Sequence, residues 1–314
     1  MDKILKLFEF IRLYLFTLFS NISPNQNIKF YLITFLKSAF FNFKYSYKNI
    51  FKPSNDLKFK FSKGNYWNRC INHFNFIEKY FDTHQIYKAP VCQFTVQTFS
   101  SRFNKKLENS FFSNNKLIYY SKFLSNIFSN VNNKSMIYWF GSFYYTFNSD
   151  TISDNDKELI QNSHVLEIGP GLGLNCLFYS DFNSKQIFYY DLSVMLRIQK
   201  KIEKKIKKTH NLNEIIYNDD VVELEKTLKH KEYYIFSRYA FSEFPINLRN
   251  KFENLIRKSR LSIFLSNVEF ENVKNEKYFQ DLAKKIEKNL VVKDYYYPEQ
   301  DKFTKKHKYF ILND

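Results

Sequence analysis

Three of the chain's five glycines stand at alternate positions in one turn, within His164-Val165-Leu166-Glu167-Ile168-Gly169-Pro170-Gly171-Leu172-Gly173-Leu174-Asn175. In a chain of 314 residues so poor in glycine, this cluster constrains the fold more than any other stretch. Val165 to Ile168 is short, apolar and β-branched at both ends, and reads as a buried strand. Glycine lets the backbone take positive φ and lets a ligand come close to the main chain. Leu174 to Ser180 is suited to open a helix whose N-terminal amides point at that ligand. Strand, glycine turn and helix in this order mark a nucleotide-type cofactor site in an α/β sheet.

Spacing narrows the cofactor. A dinucleotide site needs G-x-G-x-x-G, whereas here the run is E-x-G-x-G-x-G and Leu174 holds the slot of the third glycine. Glu167, two residues before the first glycine, is ill-suited to a pyrophosphate and well suited to a cationic amino-acid end. A turn that only reverses the chain is the plainer alternative, and the downstream pattern argues against it. The run resembles the first motif of class I S-adenosylmethionine-dependent methyltransferases. The resemblance implies that Gly169, Gly171 and Gly173 cradle S-adenosylmethionine, with Glu167 near its ammonium group.

From Asp156 onward the pattern alternates β and α. Strands are expected at 186–190, 214–217, 233–238, 261–266, 291–297 and 307–312, after the one at 165–168. Helices are expected at 193–208, 221–230, 245–258, opened by Pro245, and 273–289. The last two strands are joined by a tight charged connection with no helix, so they should pair antiparallel. The expected fold is α/β, a seven-stranded Rossmann-like methyltransferase sheet with its last strand antiparallel and a helical N-terminal accessory region. In such sheets the site lies outside the carboxyl ends of the strands. Asp191 ends the second strand, where a carboxylate accepts both ribose hydroxyls. Asp219 or Asp220 ends the third, placed for the adenine amino group.

The preceding residues read differently. Residues 1–150 form an aromatic-rich helical accessory region, and 151–314 the cofactor domain, with a polar hinge from Asp150 to Asp156. Met1 to Ser20 and Asn27 to Phe51 read as amphipathic helices. Lys3, Lys6, Glu9 and Arg12 interrupt the first too often for a membrane span, and no signal cleavage site follows. Such helices either pack on the rest of the protein or dock on a membrane surface. Helices are also expected at 66–80 and 111–131. The aromatic run Met136 to Phe147 reads as core or, through Trp139, as the lining of a substrate cleft. Net charge is 48 − 31 = +17, which favours anionic partners, although the Lys-, Asn- and Ile-rich composition resembles that of an AT-rich coding sequence. Cys70, Cys92 and Cys176 have no metal-site spacing and suit a reducing cytoplasm.

Four stretches, VLEIGPGLGLN, FYYDLSVMLRIQKK, IFSRYAFSEFP and IFLSN, resemble the sugar O-methyltransferase family associated with bacterial surface polysaccharides. That resemblance runs from about Ser163 to the end. It implies that Glu243, in the loop after the fourth strand, and Asn267, ending the fifth, face a saccharide or lipid-linked saccharide. In the loop Tyr239 to Phe244, Phe241 and Phe244 are expected inside, with Ser242 and Glu243 presented to the cleft. A sugar hydroxyl needs a base. Glu243 is the first choice, Asp220 the second, and His307, at the start of the last strand, the third. A divalent metal is left open. Two other classes stay in view. One is a nucleic-acid methyltransferase, disfavoured because Ser-Arg-Tyr-Ala-Phe-Ser-Glu-Phe lacks the proline-aromatic motif of enzymes that stack a flipped base. The other is a non-catalytic protein that keeps the fold for binding.

Overall fold

The structure is a computed structural model that describes residues 105–128, 133–148, 152–182, 184–270, 273–295 and 307–314, with shorter stretches between 71 and 92. The expected helices at 1–20 and 27–51, and the connection between the last two strands, lie outside the described residues. The chain divides into two compact units, residues 1–55 with 66–142, and residues 56–65 with 143–314. The division after Ser142 falls inside a helix. Of the expected hinge, Ser153 caps a helix: its Oγ accepts from Asp156 N at 3.1 Å and donates to Asp156 Oδ2 at 2.6 Å.

The described residues of the first unit are helical. In place of one helix over 111–131 there are two, α1 (Lys105–Ser113) and α2 (Asn115–Ile127). Asn114 separates them because its side chain caps α2, accepting from Lys116 N and Leu117 N at 3.0 and 3.2 Å. Leu117, Tyr120, Leu124 and Ile127 recur on the buried face of α2. Helix α3 (Asn133–Asn148) lies against this face through Tyr120 and Phe140, whose ring centroids are 5.1 Å apart. Gly141 lets α3 approach Phe111, since a Cβ there would sit 2.6 Å from the ring.

In the second unit, α4 (Asp154–Ile160) precedes a seven-stranded sheet. Its strands are β1 (His164–Ile168), β2 (Ile187–Tyr190), β3 (Ile215–Asn218), β4 (Tyr233–Arg238), β5 (Leu261–Asn267), β8 (Asn289–Asp294) and β9 (His307–Asn313). Their order is β3-β2-β1-β4-β5-β9-β8. The first five are parallel, and β9 runs antiparallel to both β5 and β8. This is the expected seven-stranded Rossmann-like arrangement, with the last strand antiparallel. Alternation along the strands divides two cores. Leu166, Ile168, Phe188, Tyr190, Ile235, Phe264 and Phe310 face Leu224, Leu255, Phe279 and Leu282. On the other face Phe236 packs against Phe143 and Phe147, with centroids 5.0 and 5.2 Å apart.

The remaining helices are α5 (Cys176–Asp181), α6 (Ser193–Ile206), α7 (Val221–Leu228), α8 (Ala240–Glu243), α9 (Ile246–Arg249), α10 (Glu253–Lys258) and α11 (Asn275–Ile286). Three differ from expectation. α5 starts at Cys176, because positive φ at Gly173 extends the turn. The helix opened by Pro245 is broken into α9, a 3-10 turn and α10. Val273 belongs not to α11 but to a small hairpin, β6 (Glu269–Phe270) with β7 (Val273–Lys274).

Phe310 stacks on Phe279 with centroids 4.4 Å apart and is fully buried. Phe310→Ala should cost about 3–5 kcal/mol of unfolding free energy, read by urea denaturation. A loss under about 1 kcal/mol would show that the sheet and α11 are not held through this pair.

Candidate functional site

The glycine turn carries the site. Gly169, Gly171 and Gly173 have φ of 68°, 60° and 72°, a conformation that other residues take at a cost. Gly169 N donates to Tyr190 O at 2.8 Å, and Gln199 Nε2 donates to Gly171 O at 2.8 Å. The Tyr189 hydroxyl donates to Gly173 O at 2.9 Å, so β2 holds the turn from below. A Cβ on Gly169 would stand 2.0 Å from Ala240 Cβ, and one on Gly173 would stand 3.1 Å from the Tyr189 ring. The turn is therefore pressed between β2 and the loop after β4. Ser237 Oγ ties the same elements, donating to Ile168 O at 2.9 Å and accepting from Phe241 N at 3.1 Å.

Glu167 lies in β1 beneath the turn, fully buried, and its Oε1 accepts from Asn175 Nδ2. Burial raises its carboxyl to about 8, against the lowering effect of Asn175, Tyr179 and the Arg238 charge. Asp191 follows β2 at the carboxyl edge. Its Oδ1 accepts from Leu192 N at 2.8 Å and its Oδ2 from Gln199 Nε2 at 2.9 Å. Burial raises it to about 7, with these two donors opposing. Each carboxylate oxygen keeps a second lone pair for a ligand hydroxyl. The two acids proposed for adenine separate. Asp219 accepts from Ser193 Oγ. Asp220 is the N-cap of α7, its Oδ1 accepting from Val222 N at 2.8 Å and Glu223 N at 3.3 Å.

Asn267 and His307, both expected near the substrate, are directly opposite in the β5–β9 register. Asn267 O accepts from Asn275 Nδ2 at 2.8 Å. His307 is buried, with Nδ1 3.0 Å from the Tyr239 hydroxyl. Ser242 is not presented to a cleft as expected: it is fully buried and its Oγ donates to Tyr239 O at 2.7 Å. Glu243 ends α8, half-buried, and its charge supports the cation of Arg249. Trp139 is core in the helical unit, buried and edge-on to Phe140 at 4.8 Å, which corrects its reading as a cleft residue.

Two residues were not anticipated. Arg249 is buried and donates from Nε to Phe244 O at 2.7 Å, from Nη1 to Asn275 Oδ1 at 2.7 Å and from Nη2 to Ser242 O, with its guanidinium 5.0 Å from the Tyr278 ring centroid. Desolvation lowers it to about 10, against the Tyr278 and Glu243 contributions. Its only sequence signal is its place between Leu248 and Phe252, both in the core. Tyr239 is the second, and no composition or spacing rule reveals it. Among the described residues no group of three or more His, Cys, Asp or Glu could hold a metal ion, and no helix is long and apolar enough to cross a membrane.

No protein-family model matches the chain, and no curated protein matches it. Among solved structures, the methyltransferase domain of bacterial CtHen1 is 14% identical over 51% of this chain and 94% of its own, with a TM-score of 0.40. A SAM-dependent methyltransferase from Aquifex aeolicus is 14% identical over 54% and 91%, with a TM-score of 0.36. TrmK of M. capricolum, solved with S-adenosyl-homocysteine, is 13% identical over 52% and 68%, with a TM-score of 0.32. At such values the likenesses carry no statement about what this chain binds or acts on.

The acid pair makes stability depend on pH. Both folded values lie above those of the unfolded chain, so the folded state holds protons that the unfolded state releases. This contribution is whole below about pH 4 and lost as pH rises through about 7 to 8. The melting temperature of the unliganded protein should therefore fall from pH 5 to pH 8, and Glu167→Gln with Asp191→Asn should flatten the slope. Asp220→Ala should cost about 0.5–2 kcal/mol, as loss of a cap does. If it instead weakens cofactor binding in calorimetry without lowering stability, the cap assignment fails.

Proposed function

We propose that this chain is an S-adenosylmethionine-dependent methyltransferase acting on an oxygen nucleophile, a hydroxyl of a saccharide or lipid-linked saccharide. One observation carries the cofactor: three positive-φ glycines follow β1, with Asp191 after the adjacent β2, in a sheet of order β3-β2-β1-β4-β5-β9-β8. Bound S-adenosylmethionine supplies a sulfonium methyl already activated for transfer. The chain's task is then to hold the acceptor oxygen in line and remove its proton. In this reading the glycine turn admits the cofactor's main body close to the backbone, and Asp191 takes the ribose hydroxyls. Glu167 sets the charge below the amino-acid end and orients Asn175. Asp219, rather than the capping Asp220, serves the adenine side.

The saccharide is supported by the sequence resemblance over IFSRYAFSEFP and IFLSN. The end of β4 and the loop after it, Ser237-Arg238-Tyr239-Ala240-Phe241, offer no proline-aromatic platform for a flipped base. The charge of +17 suits an acceptor that carries phosphate, as a lipid-linked saccharide does. The segments 1–20 and 27–51 would hold such an enzyme at the inner face of a membrane, in the cytoplasm.

Calorimetry tests the cofactor. Asp191→Ala removes charge-assisted hydrogen bonds and should weaken binding roughly ten- to a hundredfold. A cation bound beside Glu167 favours the ionised carboxyl, which without ligand sits at about 8. Binding at pH 7 should thus release protons, visible as a buffer-dependent heat, and tighten as pH rises towards 8. An affinity unchanged in Asp191→Ala would remove Asp191 from the ribose site. Label from methyl-labelled cofactor should appear in extracted lipid-linked saccharides, and label in RNA instead would overturn the saccharide reading.

A further inference from the structure

At the acceptor edge the chain sets a constrained tyrosine against a buried histidine. Tyr239 has φ 66° and ψ −39°, a conformation that L-residues other than glycine rarely take. The surroundings over-determine it. Its N donates to Leu265 O at 2.6 Å, and its O accepts from Glu243 N at 3.2 Å and Ser242 Oγ at 2.7 Å. Arg249 then fastens Ser242 and Phe244 by their carbonyls. The next residue, Ala240, lies directly over Gly169. In the other direction, the Tyr239 hydroxyl is 3.0 Å from His307 Nδ1. The His307 ring is 5.1 Å from that of Tyr239 and 6.2 Å from that of Tyr295, and Asn267 stands opposite in register. Tyr239 thus stands next in the chain to the residue over the glycine turn, and its half-buried phenol meets a buried imidazole. Unfavourable backbone held this firmly is a feature of functional sites.

We propose that Tyr239 is the catalytic residue that takes the acceptor proton, and that His307 is a positioning residue that draws the tyrosine's own proton onto Nδ1. The inference rests on the methyl-transfer reading above. The acceptor O–H bond breaks as its oxygen forms the bond to the methyl carbon, and the carbon–sulfur bond breaks with its electron pair left on sulfur. The acceptor proton passes to the Tyr239 oxygen while the tyrosine proton passes to His307 Nδ1. The imidazolium then releases one proton to water, and the resting pair is restored. A neutral phenol is too weak a base to do this alone, and the hydrogen bond to an imidazole supplies the missing basicity. At rest His307 must carry its hydrogen on Nε2. Glu243 is the poorer base, because its charge serves the buried Arg249.

Two measurements decide the matter. Nitrogen NMR of the full chain with labelled histidine, with His307 assigned by the His307→Gln difference, should show Nδ1 unprotonated and hydrogen-bonded in the cofactor-loaded protein. It should shift in Tyr239→Phe. A protonated Nδ1 at neutral pH would overturn the proposal. For the rate, lipid-linked saccharide extract and total RNA serve as separate probes with methyl-labelled cofactor. On the probe that takes label, Tyr239→Phe should lower kcat about 10²–10⁴-fold. Its KM for the probe and its cofactor Kd should stay within about twofold. A kcat within threefold of wild type would overturn the proposal. His307→Ala should be slow and partly rescued by added imidazole, whereas a merely structural histidine would show no rescue. Label in RNA alone would sink the saccharide reading, and the Tyr239→Phe comparison would then decide the present proposal on RNA.

Discussion

The close approach of Ala240 to Gly169 is the contact on which the second unit's site depends. It requires a residue without Cβ at 169, a small side chain at 240, and a β4 that ends level with β1. Ser237 fixes that level by bonding both Ile168 O and Phe241 N. One short contact thereby sets the height of the cofactor turn and of the acceptor loop together. The parallel pairing of β1 with β2 and β4 brings the relevant chain ends to one edge.

Arg249 is the second constraint. A buried guanidinium is costly unless its donors are satisfied. Here two main-chain carbonyls, the Asn275 amide oxygen and the Tyr278 ring satisfy it. None of these is a carboxylate, and Glu243 supplies the nearby charge. The arrangement favours one loop conformation over others: α8 can leave it only by stranding a buried cation. This accounts for the retention of Tyr239 at positive φ, where its intrinsic preference would move it away. The broken helix after Pro245 follows from the same demand, since α9 turns to point Arg249 inward.

Glu167 and Asp191 show how the sheet tunes charge. Glu167 is fully buried and Asp191 partly so, and desolvation makes both hold protons to higher pH than free carboxyls do. The unliganded site is consequently held less charged than its composition suggests, and a cationic ligand would restore the ionised form. The aromatic packing behind β1 and β4, through Phe143, Phe147, Phe178 and Phe236, contributes to this desolvation, since all four rings are buried.

The sequence alone determined the sheet and its cofactor edge. Strand periodicity, the glycine spacing, and acids at strand ends are local, and the seven strands fall within a few residues of their expected places. Burial, by contrast, depends on partners remote in sequence. That Trp139 and Ser242 turn inward, that Asp220 caps a helix, and that the hinge contains a capping Ser153 follow from packing and hydrogen-bond satisfaction. Only the tertiary structure decided that Tyr239 meets His307, 68 residues away, and that Arg249 holds the loop between them. The reason is physical: a positive φ on a tyrosine and a buried arginine are unfavourable locally, and only contacts from β5, β9 and α11 make them stable.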